Sequence, residues 1–434
     1  MRKRLLNRED AKGAKKARRI LCGLCVFAVI SFVFPSRMYS IYQHLLRVGI
    51  GLFCLHAMFP ILYAQKPPTV VDHWQLPVQH QGLDDSFAPQ YCATCHADKY
   101  QEWQGSQHSK AFSPGLVGQI MDYKDSDARN CLTCHAPLAE QQDEAMHQGN
   151  LFKWARERSM GLAEHGVMCA SCHVRGQEIV GPAKITEELA NRYSIKMHPN
   201  AIQVNWFSDS YFCARCHQFP QDNAVNGKPL ENTYQEWLES PFAHANRTCQ
   251  SCHMPDKKHY FRGIHDKEMT QSGVRIYSTV GDSAATLTLQ ALMVGHRFPT
   301  YIVPRVELVG LLLDKNKEPI EGTKKIYVIQ RIARNVKGKW EEFQDTRLKP
   351  GEKATVTIDT DRDDAYYVRF YVMVEPDNYY IEHVYRPLLK SLPDGEAKQL
   401  IQEAYDQALR NQYSLYEETI DLRGKPSSLI KHAI

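Results

Sequence analysis

The chain has 434 residues and a formal charge of +4 at pH 7. That sign belongs to one end: residues 1–64 carry 11 of the 53 basic and 2 of the 49 acidic side chains, which leaves the rest at −5. The rest lacks the basic excess that nucleic-acid binding uses, so nucleic acid is excluded as a partner. Long-range attraction would favour basic protein partners, in a salt-dependent way.

Residues 1–64 read as a targeting signal or membrane anchor. Nine Lys or Arg precede Ile20, and two apolar stretches follow, 20–34 and 48–64. The first ends at Pro35 after 15 residues and is short for a membrane span. The second reads as the apolar region of a signal peptide, flanked by Arg47 and closed by Ala64. Leu62 fits the small-residue cleavage rule poorly, Met38 is an alternative start, and an uncleaved anchor is the competing fate. Residues 65–90, with Lys66-Pro67-Pro68, read as a linker.

From Tyr91 the text is dominated by one repeated motif, Cys-x-x-Cys-His. It occurs at Cys92/Cys95/His96, Cys131/Cys134/His135, Cys169/Cys172/His173, Cys213/Cys216/His217 and Cys249/Cys252/His253. This is the attachment signature of a c-type haem. The two thiols take the two vinyl groups as thioethers, and the histidine ligates iron from the proximal side. Five complete copies predict five haems. Zinc ribbons also use Cys-x-x-Cys pairs, but need no histidine after each pair.

Of 13 cysteines, only Cys22, Cys25 and Cys54 lie outside the motifs, all in the N-terminal stretches. No disulfide is left for the rest of the chain, although its destination is oxidising. Haem is attached outside the cytoplasmic membrane, so residues from Tyr91 on are expected in the periplasm. Two full crossings would return them inside, so only one apolar stretch can act as export signal or span. Membrane association would follow only if the N-terminal segment stays uncleaved. The covalent haems would staple the domain at 91–271 and supply apolar bulk in place of an ordinary core.

Each haem has a second axial position. A second histidine closes it; an open position admits a ligand. From Gln65 on, 12 histidines lie outside the motifs. His108 lies between motifs one and two, His147 and His165 between two and three, His198 between three and four, and His244 between four and five. His259, His265 and His296 follow the last motif. The distal candidates are His108, His165, His198, His259, His265 and His296. With one obvious donor per inter-motif segment, a fifth must come from after the last motif. Met168 and Met254 adjoin motifs and read as core.

After Gln271 the period changes. Ala285, Leu287, Leu289 and Ala291, then Ala354, Val356 and Ile358, then Val368, Phe370, Val372 and Val374 alternate with polar or exposed positions. Turn signals at Asp314–Lys317, Lys337-Gly338-Lys339 and Lys349–Glu352 separate such strands. The pattern predicts an antiparallel β-sandwich over 272–390. Ala397, Leu400, Ile401, Ala404, Tyr405, Ala408 and Leu409 share a helical face, so 391–434 reads as a C-terminal helix and tail. The fold class is α+β: a helical and irregular multihaem domain, a sandwich and a helix.

Cys92–Ala111 reads C-x-x-C-H-x6-W-x-x-S-x-H-x-x-A, and Thr233–Trp237 leads to Cys249–Pro255. Gly295–Thr300 reads G-H-R-F-P-T. These blocks resemble the multihaem cytochromes around hydroxylamine oxidoreductase and the tetrahaem carrier of ammonia oxidisers. The resemblance covers about 91–305. It implies a distal role for the histidine at His108, and one for His296 reaching from the β-domain. It departs from hydroxylamine oxidoreductase in haem number. It departs from pentahaem nitrite reductases in having no Cys-x-x-Cys-Lys. Both departures count against a catalytic haem.

The leading expectation is therefore an electron carrier, a chain of mostly bis-histidine haems. It would work between a quinol-oxidising membrane complex or periplasmic donor and an acceptor. The alternatives are a reductase of a small nitrogen or sulfur oxyanion at one open haem, and a subunit of an electron-transfer assembly or filament.

Overall fold

The computed structural model describes residues 82–121, 123–145, 161–182, 202–221, 224–424 and 431–433. The apolar stretches of the N-terminus, most of the 65–90 linker, His147 and His198 lie outside the described residues. Among those described, no helix is long and apolar enough to cross a membrane.

Each Cys-x-x-Cys-His motif sits on a short helical turn. They fall at Pro89–Ala93 and the turn after it, the end of Asp125–His135, Cys169–His173, the end of Tyr211–His217, and Cys249–His253. On a helix, residues three and four apart share a face, so both thiols and the imidazole project to one side. Small apolar clusters hold these turns. One joins Leu116, Ile120, Ala128, Leu132, Ala136 and Ala163; another joins Trp103, Leu138, Leu162, Met168 and Ala170. Met168 is thus core, as its position beside a motif implied.

This half also contains a small sheet that the sequence pattern did not signal. Strand β1 (Val174–Arg175) pairs antiparallel with β2 (Glu178–Pro182), and β2 pairs parallel with β3 (Ile202–Val204). Strands this short carry too few alternating positions to register as a period.

The second half contains two four-stranded antiparallel sheets. One has the order β10 (Lys353–Asp359), β5 (Ala284–Ala291), β4 (Val274–Val280), β13 (Lys431–Ala433). The other has β12 (Tyr413–Asp421), β11 (Tyr367–Glu375), β6 (Arg305–Leu313), β7 (Lys325–Ile329). One core serves both, with Leu287, Leu289, Leu308, Leu312, Ile358, Phe370 and Val372 all within it. In β10 every second residue is buried, Ala354, Val356 and Ile358, while Thr357 on the outer face meets Thr286 at 3.0 Å. The hairpin β8 (Arg331–Val336) to β9 (Lys339–Asp345) turns through Lys337 and Gly338, both at positive φ, as a two-residue turn requires.

The helix Glu396–Arg410 buries Leu400, Ile401, Ala404 and Ala408. It packs against Pro114–Ile120 beside the second motif; a Cβ at Gly118 would come within 3.0 Å of Ile401 Cδ1. The tail expected after this helix is corrected by β12, which pairs along the length of β11. Its alternation is weak because Tyr413 and Tyr416 are only half-buried and Leu415 alone is fully so.

Candidate haem centres

Among the described residues, three motif histidines face a second imidazole. His217 and His108 have ring centroids 6.3 Å apart, His173 and His259 6.1 Å, and His253 and His296 6.3 Å. A metal–imidazole bond of about 2.0 Å plus about 1.1 Å from nitrogen to centroid puts two trans imidazoles about 6.2 Å apart across a metal. Direct stacking would bring rings closer, to the 4.8 Å seen between His173 and Phe207.

The rings are also oriented for ligation. Nδ1–H donates to a backbone carbonyl in His135 (Ala111, 2.7 Å), His173 (Val180, 2.9 Å), His253 (Arg262, 2.6 Å), His259 (Lys257, 3.0 Å) and His296 (Arg297, 2.8 Å). That bond fixes the tautomer with Nε2 bare, the arrangement that metal-ligating histidines use. Burial pushes His173, His217 and His296 down to about 4 and His108 to about 3, with neighbouring histidines pushing the same way. All four are therefore neutral, the form that binds iron.

The remaining candidates differ. His265 directs Nε2 at Asp377 Oδ1, 2.9 Å away, which occupies the nitrogen a ligand would use. His165 has a buried Nε2 with no hydrogen-bond partner. His244 ends the short helix Pro241–His244. His96 is exposed.

Thiols of different motifs also meet. Cys92 lies beside Cys169, Cys134 beside Cys216, and Cys213 beside Cys249; in each pair the neighbouring thiol lowers one and raises the other. Cys172 is electrostatically coupled to Cys213 and Cys216. Motif one thus adjoins three, three adjoins four, and four adjoins both two and five. The ten motif thiols are free of disulfides, as the cysteine count required.

Among the described residues, Cys95, Cys131 and Cys252 have no thiol of another motif beside them. Cys95 is exposed, and its Sγ lies 3.7 Å from the hydroxyl of the preceding Thr94. Cys252 is half-buried, and its Sγ lies 3.8 Å from the hydroxyl of the preceding Ser251.

A buried ion-pair network ties the loop of His296 to the rest. Glu236 accepts from Arg347 Nη1 at 3.0 Å and from the backbone N–H of Arg297 at 3.2 Å. The Glu236 and Arg347 side chains are 4% and 0% exposed. Arg347 is further held by Asp345, at 2.9 and 3.0 Å. Burial alone would raise Asp345, but the bonds and charges of Arg347 and Lys228 outweigh it and hold the carboxyl below its ordinary range. Sequence reasoning missed Glu236 and Arg347 as functional residues; only the Thr233–Trp237 block drew attention to Glu236.

Residues 91–174 match the family described as cytochrome c554 and c-prime. No curated protein matches the sequence. Among solved structures, the fold is similar to a penta-heme cytochrome c552 from Thermochromatium tepidum, with a TM-score of 0.57 at 18% identity. The match covers 78% of this chain and 99% of that one. The family match spans the first three Cys-x-x-Cys-His motifs, and together with the similar fold it supports a multihaem c-type cytochrome.

Proposed function

We propose that the chain is an exported pentahaem electron carrier with mostly bis-histidine haems. The observation that carries this reading is the set of three imidazole pairs, 6.1 to 6.3 Å between centroids, each joining a motif histidine to one from a distant segment. Five c-type haems would supply one-electron redox chemistry when bound. Cys92/Cys95, Cys131/Cys134, Cys169/Cys172, Cys213/Cys216 and Cys249/Cys252 would hold them, with His96, His135, His173, His217 and His253 as proximal ligands. Cys95 and Cys252 keep this role because attachment needs only the spacing within their own motif. His108 would complete the fourth centre, His259 the third and His296 the fifth.

The protein's part is positioning. The carbonyl bonds at Nδ1 hold the ring planes of His173, His253, His259 and His296, and burial favours the neutral form of all six paired rings. Two imidazoles at an iron favour a lower potential than a histidine–methionine pair. The motif contacts support a path through motifs one, three, four and five, with the second motif as a branch from the fourth. The excess acidity of residues 65–434 favours a basic redox partner. A periplasmic location follows from the chemistry of haem attachment.

Intact mass and electron paramagnetic resonance of the ferric protein test this reading. Five covalent haems are expected, with three or more in low-spin bis-histidine form. Fewer than five adducts, or a spectrum without bis-histidine signals, would overturn it.

A further inference from the structure

The segment Lys257–Arg262, just after the fifth motif, meets imidazoles of all three pairs. The carbonyl of Lys257 holds His259, the carbonyl of Arg262 holds His253, and His259 itself faces His173. The segment is also anchored from another side. The backbone N–H of His259 donates to Glu102 Oε2 at 2.8 Å, and Lys99 Nζ donates to the same oxygen at 3.1 Å. Glu102 and Lys99 belong to the helix Ala97–Gln104, directly after the first motif.

Phe261 lies within this segment. Its ring centroid is 4.4 Å from that of His108, at 49°, and 5.7 Å from that of His259, edge-on at 88°. One ring thus packs on the distal imidazoles of two pairs. It also packs against the cluster of Trp103, Met168 and Ala170, which carries the third motif. Phe261 sits at φ 46°, a left-handed conformation that aromatic residues rarely adopt. Such a backbone persists only where its surroundings over-determine it. Asp256 and Lys257, at φ 54° and 60°, share that region. His108 is the imidazole that most needs the contact. His259 and His296 have their planes fixed by a carbonyl at Nδ1. Among the described residues His108 makes no such bond, nor does its partner His217; what His108 has instead is the ring of Phe261.

We infer that Phe261 is a positioning residue that sets the ring plane of His108, and so the angle between the two imidazoles of the fourth centre. The inference rests on the bis-histidine reading of that centre.

The angle has a chemical consequence. His108 and His217 are tilted by 35°, as are His173 and His259, whereas His253 and His296 are nearly parallel at 13°. Each imidazole at an iron donates π density to the d orbital that extends perpendicular to the ring plane. Aligned planes split two such orbitals apart, and crossed planes leave them close in energy. The angle therefore sets the anisotropy of the low-spin ferric signal and belongs to the ligand tuning of the haem. Without the Phe261 ring, His108 keeps its bond to iron but is free to turn about it. His259 is less free, because the Lys257 carbonyl still holds its Nδ1. Loss of the ring should act most on the fourth centre, less on the third and least on the fifth.

Electron paramagnetic resonance of the ferric, haem-loaded full-length protein is the test. H108M should remove one bis-histidine signal and so identify that of the fourth centre; H259M and H296M identify the third and fifth in the same way. F261L keeps apolar bulk but loses the planar ring. It should shift and broaden the largest g value of the fourth signal while the fifth holds. F261Y keeps the ring and should retain the parent spectrum. If F261L loads fewer haems than the parent, F261M gives the same reading with a more adaptable side chain. An unchanged fourth signal in the loaded variant, even with a lower melting temperature, would overturn the inference, because a ring that only fills the core gives that result. Equal shifts in all three signals would overturn it too, as a general loosening. An H108M spectrum that keeps every bis-histidine signal would overturn the fourth pairing itself, and the inference with it.

Discussion

Replacing Glu236 perturbs the network that fixes the His296 loop. Its carboxylate accepts from Arg347 at 3.0 Å, the Arg297 N–H at 3.2 Å and the Thr300 hydroxyl at 3.4 Å. Removing one partner of a buried ion pair costs about 3–5 kcal/mol, because the other charge is left without compensation. Here Arg347 keeps two bonds to Asp345, so the lower end applies: about 3 kcal/mol for E236A. At about 2 °C per kcal/mol for a protein of this size, that is a fall of about 6 °C in the melting temperature. E236Q keeps the shape and one acceptor oxygen, so it should lose roughly half as much. R347M should lose more, about 5 kcal/mol, since it leaves Glu236 and Asp345 buried together. The assay is thermal unfolding of the haem-loaded protein by circular dichroism, paired with resonance spectra at room temperature. E236A should also broaden one bis-histidine signal, because the loop carrying His296 loses its anchor. A melting temperature within about 1 °C of the parent, or equal losses for E236A and E236Q, would refute the reasoning.

H296M keeps a ligand but exchanges nitrogen for sulfur, and should raise the potential of one haem in a redox titration while the others hold. Glu231 ties stability to pH. Its folded pKa is raised from 4.5 to about 7, so the stability it contributes is complete below about 4.5 and is lost as pH rises through about 7. E231Q should flatten melting temperature against pH across that window, with Glu236, Arg347, Thr233 and Tyr301 as the groups that share its surroundings. N-terminal sequencing of the native protein should find a mature start near Gln65; a start upstream of Val48 would favour the anchor instead.

The haem motifs were legible because attachment is a local problem, solved within five consecutive residues. The strands at Ala285–Ala291, Ala354–Ile358 and Val368–Val374 were legible for a similar reason: one face of each meets the core, which stamps a period of two on the text. What escaped the sequence depends on contacts between remote segments. The choice between His259 and His265 turns on Asp377, which lies over a hundred residues from either. Which motif thiols lie beside one another is equally invisible in the text, since it is decided by which motifs end up side by side. Glu236 reads as one helix-surface acid among many until Arg347, 111 residues away, is brought against it. Strand β12 hid behind the strong helical face that precedes it, because its own burial comes from pairing with β11 rather than from an apolar stripe. Glu231 carries no pattern at all; only its loop places it near Cys134 of the second motif.

The three imidazole pairs also set an order of events for biogenesis. A haem can be fastened to a nascent chain as soon as five residues are exposed, whatever the state of the rest. Its far axial position cannot be closed so early. His217 draws on a segment made long before it, but His173 and His253 wait for His259 and His296, the latter in the loop between β5 and β6. Truncation after the fifth motif would therefore leave every haem attached and two of the three pairs incomplete. The visible spectrum of such a chain would register a folding defect that a count of attached haems would miss, so with haem bound the distal histidines would report on synthesis of the C-terminal half.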